Sequence, residues 1–456
     1  MEKMVRKPLF KERESILTHV FQTFFGQFVV SLYIISSTYY LINKIISYLV
    51  EESSWNEDWG LVSYTFKGFH YSLVLWMSYH VIVLLLVYPL VSRYGHFKSF
   101  MIPLVSSLFL SFFITISYLS VVLLDTGPST RISIAFETVR ICAKILSFVI
   151  TVYDLKKKRK PFETEEENAN LILRDHENNF CESSSQNVTS IAHFLYFLFA
   201  PTGIYAPSYP KTKTTNWSRF FLLHYINLTI FLFGLKIVQE SFLPLSSVGL
   251  KPIPITLINR QIFIFLAITQ PFHSLAFLFI GGQHNWCNSW AELLKFSDRE
   301  FYTDHWSVTN ARDWFSRWNR IMQNYLYYIV YSPVNKYSRC KLTSSVVTMA
   351  FSGFLFHDFP LFVVFGFEYV FPVYTLVFVL SAFKTRGGDD NSKSKTSKLI
   401  SLIVFYIKKS LHGLLFLFFV LELYSRNNCK RPEGTSLVAD LLLPRLVSCA
   451  SIHWEA

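Results

Sequence analysis

The chain has 456 residues, of which 51% are hydrophobic and 18% aromatic, with 46 phenylalanines. Apolar runs of about 20 residues recur along it, which excludes an ordinary soluble domain and predicts an all-α polytopic membrane protein. The net charge of +12 does not indicate a nucleic-acid partner, because the lysines and arginines sit in short loops between apolar runs, where they set topology.

Residues 1–23 form a short basic N-terminus carrying Lys3, Arg6, Lys7, Lys11 and Arg13. It is not read as a cleavable signal peptide, since the apolar run after it is too long and no small-residue cleavage site follows. Spans are predicted at 24–49, 69–91, 101–124 and 132–153. The stretch 155–190 opens in LKKKRK, turns acidic at ETEEEN and ends rich in serine. No apolar period runs through it, so it reads as a disordered loop. Residues 191–200 are apolar but too short to span and suit the membrane interface. Further spans follow at 219–240 and 257–280, then at 343–365, 367–383 and 399–424, about nine in all. The membrane domain is therefore read as 24–424 and the tail as 425–456.

Charge tests this count. With the N-terminus cytosolic, loops 92–100, 154–218, 281–342 and 384–398 are cytosolic and rich in Lys and Arg. Loops 50–68, 125–131 and 241–256 on the other side are acidic or nearly uncharged. This positive-inside alternation places the tail in the lumen. An oxidising lumen permits a disulfide between its cysteines, Cys429 and Cys449, and Pro432, Gly434 and Pro444 let the chain turn back between them. Cys142, Cys181, Cys287 and Cys340 fall in spans or on the cytosolic side and lack the spacing of a metal site. The sequons at Asn187, Asn216 and Asn227 lie on the cytosolic side or at a span, so no glycan is expected.

Three stretches carry chemistry. His357 and Asp358 lie in the middle of an apolar span, where ionisable side chains are rare unless they face a protein interior or a water-filled cavity. A neutral imidazole there can take a proton from an alcohol near neutral pH. The plain alternative is a buried histidine that only bonds across helices. Asp358 adjoins it, but helical neighbours point about 100° apart, so adjacency does not make it the histidine's partner. Upstream, FYTDHWS at 301–307 and WFSRWN at 314–319 mix aromatics with Asp, Arg and Asn. That mixture suits a membrane-interface belt and also a bulky anionic ligand. Trp286, Trp290, Leu293 and Leu294 fall near helical spacing and predict an amphipathic interfacial helix. The polar segment 286–339 is read as a lid and substrate surface over His357.

FYTDHWS resembles the FYxDWWN signature of the acyl-CoA:sterol and diacylglycerol acyltransferases, within the membrane-bound O-acyltransferases. AELLKFSDREFY, Trp318-Asn319 and the FLFHDF that carries the histidine fit the same family. APTGIYAPSYPKTKTTNW, the tyrosine run after Asn324, AKILSFV, and ELYSRNNC with Cys449 resemble the sterol O-acyltransferase branch. The resemblance implies the membrane-bound O-acyltransferase fold with nine spans and residence in the endoplasmic reticulum membrane. It implies esterification of a membrane sterol by a fatty acyl-CoA with His357 as general base. Acyl-CoA is then a substrate, with no cofactor and no metal, and by analogy the protein is a homo-oligomer. It assigns Phe301, Tyr302, Asp304, Trp306 and Trp318 to the signature, and Asn319, Tyr331, Lys341 and Ser352 to acyl-CoA contacts.

The chain departs from the pattern at several positions. His305 stands for a Trp, Ser307 for an Asn, Gln323 for a His, Leu146 for a His and Asp358 for a Glu. Asp313, Ser316 and Lys384 replace an Asn, an Arg and an Asn, and Gly353 stands where the family has a Ser, with Ser352 beside it. Two rival readings follow. One is diacylglycerol acyl transfer by the same machinery. The other is a non-catalytic lipid-binding protein.

Overall fold

The structure is a computed structural model that describes residues 10–50, 59–94 except 61 and 64, 101–159, 190–237, 273–308, 311–365 and 373–383. Among these residues the regular structure is helical, and extended pairing is confined to two isolated bridges, Arg13 with Asp298 and Lys211 with Phe296. The spans read at 257–280 and 399–424, the loop at 160–189, and both tail cysteines lie wholly or largely outside the described residues.

Helix α1, Ile16–Gln22, breaks into α2, Phe24–Val50, at Thr23. The Thr23 hydroxyl donates to the Val20 carbonyl at 2.6 Å and accepts from the Gly26 amide at 3.1 Å, so one side chain closes α1 and opens α2. A Cβ at Gly26 would stand 2.0 Å from the Val20 carbonyl oxygen, so only glycine fits the bend. At about 1.5 Å per residue α2 is long enough to cross a bilayer. It is apolar and exposed along most of its length, with only Gly26 and Ser37 buried. Tyr33 to Thr229 at 2.6 Å and Ser37 to Tyr225 at 2.9 Å tie it to α8, Trp217–Ile237, which follows later in the chain. Such hydroxyl pairs hold helices together where lipid supplies no hydrophobic drive.

The second span comprises α3, Phe69–Ile82, a π turn at Val83–Val87, and α4, Tyr88–Tyr94. The third is α5, Met101–Leu123. Helix α6, Pro128–Arg159, starts with proline at its first position, where the missing N–H has no helical partner anyway. It runs five residues into the stretch read as loop. It carries Glu137, Arg140 and Lys144 through the hydrophobic core, beside Phe148 and Ile145.

Helix α7, Ile191–Phe199, covers the apolar stretch too short to span. Its Ile191 is exposed, while Phe194, Phe197 and Leu198 are fully buried in the protein core. It is held there through its last carbonyls, the groups a helix end leaves unpaired. The Lys144 ammonium donates to Phe197 and Ala200 carbonyls, and Arg140 donates to the Leu198 carbonyl.

Among the described residues, some contacts join segments that the charge pattern assigns to one side. Arg13 pairs with Asp298 at 2.8 Å, and Lys211 bridges to Phe296, so three segments assigned to one side meet. On the opposite side Lys67 pairs with Asp125, and the Gly127 amide donates to the Lys67 carbonyl at 2.9 Å.

A π-helical run, His273–Trp286, leads into α9, Cys287–Leu293. Its Trp286 and Leu293 point outward while Asn288, Ser289 and Glu292 are buried, so the amphipathic helix turns its apolar face away from the protein. After the signature come α10, Ala311–Trp318, α11, Arg320–Tyr325, a π turn at Leu326–Tyr331, and α12, Ser332–Ser338. Helix α13, Lys341–Gly353, passes through a π turn, Phe354–Asp358, into α14, Phe359–Phe365. Helix α15, Val373–Phe383, returns against α13.

Candidate active site

Three π turns in this chain share one local cause. Proline stands two residues beyond each: Pro89, Pro333 and Pro360. Proline lacks an amide hydrogen, and its ring collides with the carbonyl four residues back, here Leu85, Ile329 and Phe356. Each of those residues lies inside its π turn, where one extra residue widens the helix and relieves the collision.

The third π turn carries His357. In ordinary helix a histidine Nδ1 reaches the carbonyl four residues back, as His80 does to Trp76 at 2.7 Å and His224 to Phe220 at 2.9 Å. His357 Nδ1 instead meets the carbonyl of Ser352, five residues back, at 3.2 Å. A carbonyl only accepts, so Nδ1 carries the hydrogen and Nε2 carries the lone pair. The imidazole is half-buried. It stacks on Tyr374 at 5.4 Å and meets Phe378 edge-on at 4.8 Å. Replacing Pro360 with Ala removes the collision and favours ordinary helix. The expected result is unchanged or higher thermal stability with a rate lower by about tenfold or more, since small misplacement of a reacting group is costly. Melting temperature and initial rate measured on the same preparation check this.

Asp358 has a different set of partners. Its carboxylate accepts the Tyr374 amide at 3.0 Å, and the Thr375 amide and hydroxyl at 2.7 and 2.5 Å.

The signature folds as an extended segment tied to the helices after it. The Thr303 amide donates to the Arg317 carbonyl at 2.9 Å, and the Arg320 amide to the Phe301 carbonyl at 2.8 Å. Phe301 and Tyr302 are buried. Burial raises the Tyr302 pKa, so the phenol stays protonated beside His284 Nδ1, 2.6 Å away. Asp304 is exposed and pairs with Arg317 at 3.0 Å. His305 is buried among Phe279, Trp318 and Trp306, with ring centroids 4.6 to 5.2 Å away. Its imidazole fills the aromatic position where the signature has Trp, so this departure is absorbed by packing. Trp314 and Trp318 stack at 4.9 Å.

A line of ring contacts connects the signature region to the histidine. Trp314 meets Phe315 at 5.2 Å, Phe315 meets Phe378 at 5.4 Å, and Phe378 meets His357. Of the residues assigned to acyl-CoA, only Ser352 bonds to His357 directly, through its carbonyl. Asn319 caps α11, accepting from the Met322 amide at 3.0 Å. Tyr331 stacks on Tyr327 at 5.7 Å, and Lys341 is exposed at the start of α13. The last π turn before α12 packs on α13, so Tyr331 and Lys341 lie on neighbouring elements.

Fold and site together define a helical membrane protein with His357 held within a span by a π turn that Pro360 follows. The sequence model of the membrane-bound O-acyltransferase family matches residues 90–387, which include the signature and His357. The chain belongs to that family, and it is an acyltransferase. It is 25% identical to sterol O-acyltransferase 1 of Rattus norvegicus over 455 residues, covering 97% of this chain and 78% of the relative. Sterol O-acyltransferase 1 of Mus musculus is 25% identical over 456 residues, 97% of this chain and 79% of the relative. Sterol O-acyltransferase 2 of Rattus norvegicus is 23% identical over 464 residues, 97% and 81%.

Proposed function

We propose that this protein esterifies a membrane sterol with the acyl group of a fatty acyl-CoA, with His357 as general base. One observation carries the reading: the Ser352 carbonyl holds Nδ1–H, which leaves the Nε2 lone pair as the imidazole's basic site. In the reaction Nε2 takes the proton of the sterol hydroxyl as its oxygen attacks the thioester carbonyl. The C–S bond then breaks, and the departing thiolate takes the proton back from the imidazolium. Thiolate is a good leaving group, so the step calls for no cofactor. The sterol substrate is supported by the likeness to sterol O-acyltransferases 1 and 2 over 97% of the chain.

Asn319, Tyr331, Lys341 and Ser352 are proposed to position acyl-CoA from the cytosolic side. The N-terminus is proposed to be cytosolic and the C-terminus lumenal, in the endoplasmic reticulum membrane, with Cys429 and Cys449 bridged in the lumen and the chain acting as a homo-oligomer. The test is a lipid extract from cells that lack sterol esterification and express this chain, fed labelled oleoyl-CoA at the microsomal stage. Labelled sterol ester is expected. Labelled triacylglycerol would instead assign a diacylglycerol acceptor, and retention of acyl-CoA or sterol without product would make the protein a lipid binder.

A further inference from the structure

Asp358 is 3% exposed in a membrane span, a costly place for a carboxylate unless each oxygen is engaged. Three donors to it come from the start of α15, the backbone amides of the second and third helical residues and the Thr375 hydroxyl. A helix start leaves its first amides unpaired and carries partial positive charge, and within a bilayer no water is there to satisfy them. Asp358 thus caps α15 from 17 residues away in the sequence.

A second contact pins the same residue. A Cβ built at Gly353 would stand 2.5 Å from the Thr375 Cα and 2.8 Å from its amide nitrogen, so the α13 and α15 backbones touch there. Carboxylate and glycine together fix the height and rotation of α15. Tyr374 and Phe378, the two rings against the His357 imidazole, are both on that helix.

We propose that Asp358 is a positioning residue that acts through α15: its carboxylate fixes the helix whose Tyr374 and Phe378 rings hold the His357 imidazole in its reactive orientation. This rests on the reading of His357 as the base. The sequence neighbour of the base therefore works on the opposite wall of its site, and Thr375 is the handle.

The experiment uses the full-length chain in microsomes, with rates normalised to extracted protein. Asp358→Asn keeps the size, but its amide has one acceptor oxygen, so either the Tyr374 amide or the Thr375 pair loses its acceptor. The expected result is a kcat lower by about 10- to 100-fold with the KM for acyl-CoA unchanged, as for a misplaced reacting group. Thr375→Val removes the hydroxyl donor and is expected to lower kcat less, Thr375→Ser to restore it, and the double variant to match Asp358→Asn alone. A normal kcat in either Asp358→Asn or Thr375→Val would overturn the proposal, as would multiplicative losses in the double variant, because both place Asp358 outside this route. If Asp358→Asn does not accumulate, the Thr375→Val and Thr375→Ser pair decides. His357→Ala separates the two levels: activity retained there sinks the assignment of the base, whereas loss there with normal Asp358 and Thr375 variants sinks only the positioning role.

Discussion

His357→Ala is expected to abolish ester formation while the protein still accumulates in the membrane. General bases contribute about 10²–10⁴-fold, and no other imidazole bonds or stacks with His357 among the described residues to take over its lone pair. The structural loss is modest by comparison. The half-buried ring gives up one hydrogen bond to the Ser352 carbonyl and two ring contacts. A lost hydrogen bond of this kind costs about 1–3 kcal/mol when its partner stays buried. Equal protein levels by immunoblot and a rate at background from labelled acyl-CoA are the expected pair of results. His357→Gln is the sharper variant, because glutamine can still bond the Ser352 carbonyl but supplies no basic nitrogen. Substantial turnover in either variant would show that the proton leaves by another route.

The membrane architecture was legible in the sequence because length and apolarity decide it. The runs at 24–49, 69–91 and 101–124 fall within a few residues of α2, the α3–α4 span and α5. Contacts such as Arg13 with Asp298 and Lys67 with Asp125 bring together segments that the charge pattern assigns to the same side. The packing of α7 was not legible, because nine apolar residues do not show which face is buried. What holds it is the pair of donors, Arg140 and Lys144, that meets its last carbonyls from a distant helix. His357 stood out as an ionisable group in an apolar span, but its surroundings did not. Tyr374, Phe378 and the Gly353–Thr375 contact depend on how α15 returns against α13, and no local pattern encodes that. A usable signal was present in Pro360, since the same spacing recurs at Pro89 and Pro333. The departure at His305 was visible in the sequence, but its packing among Phe279 and Trp318 was not.

Glu292→Ala is expected to cause the largest loss of stability of any single change on the charged side of the described structure. Glu292 is 3% exposed and Arg299 1%. Their ion pair at 2.5 Å is extended by Arg219, which reaches Glu292 at 3.1 Å and Glu14 at 3.1 Å. The second Glu292 oxygen accepts the Asn216 amide at 3.2 Å. Two segments remote in sequence, 216–219 and 292–299, therefore meet at one carboxylate, Glu14 joins them through the two arginines, and Arg299 lies two residues before the signature. Removing the carboxylate leaves two guanidinium groups, one of them buried, to share the half-exposed Glu14, 3.1 Å from Arg219 and 3.6 Å from Arg299. Breaking a buried pair in this way costs about 3–5 kcal/mol, a large part of a protein's total stability. The contrast is the exposed pair Arg317–Asp304, with side chains 38% and 51% exposed, whose loss by Asp304→Ala costs about 0–1 kcal/mol. Heating detergent-extracted protein and following the fraction that stays soluble by size-exclusion chromatography compares the two directly. Glu292→Ala should melt well below the parent and accumulate poorly, and Asp304→Ala should track it. Glu292→Gln should fall between, since an amide oxygen can still accept one guanidinium hydrogen but carries no charge to balance the second. Equal melting of Glu292→Ala and the parent would mean that the cluster does not hold the signature in place.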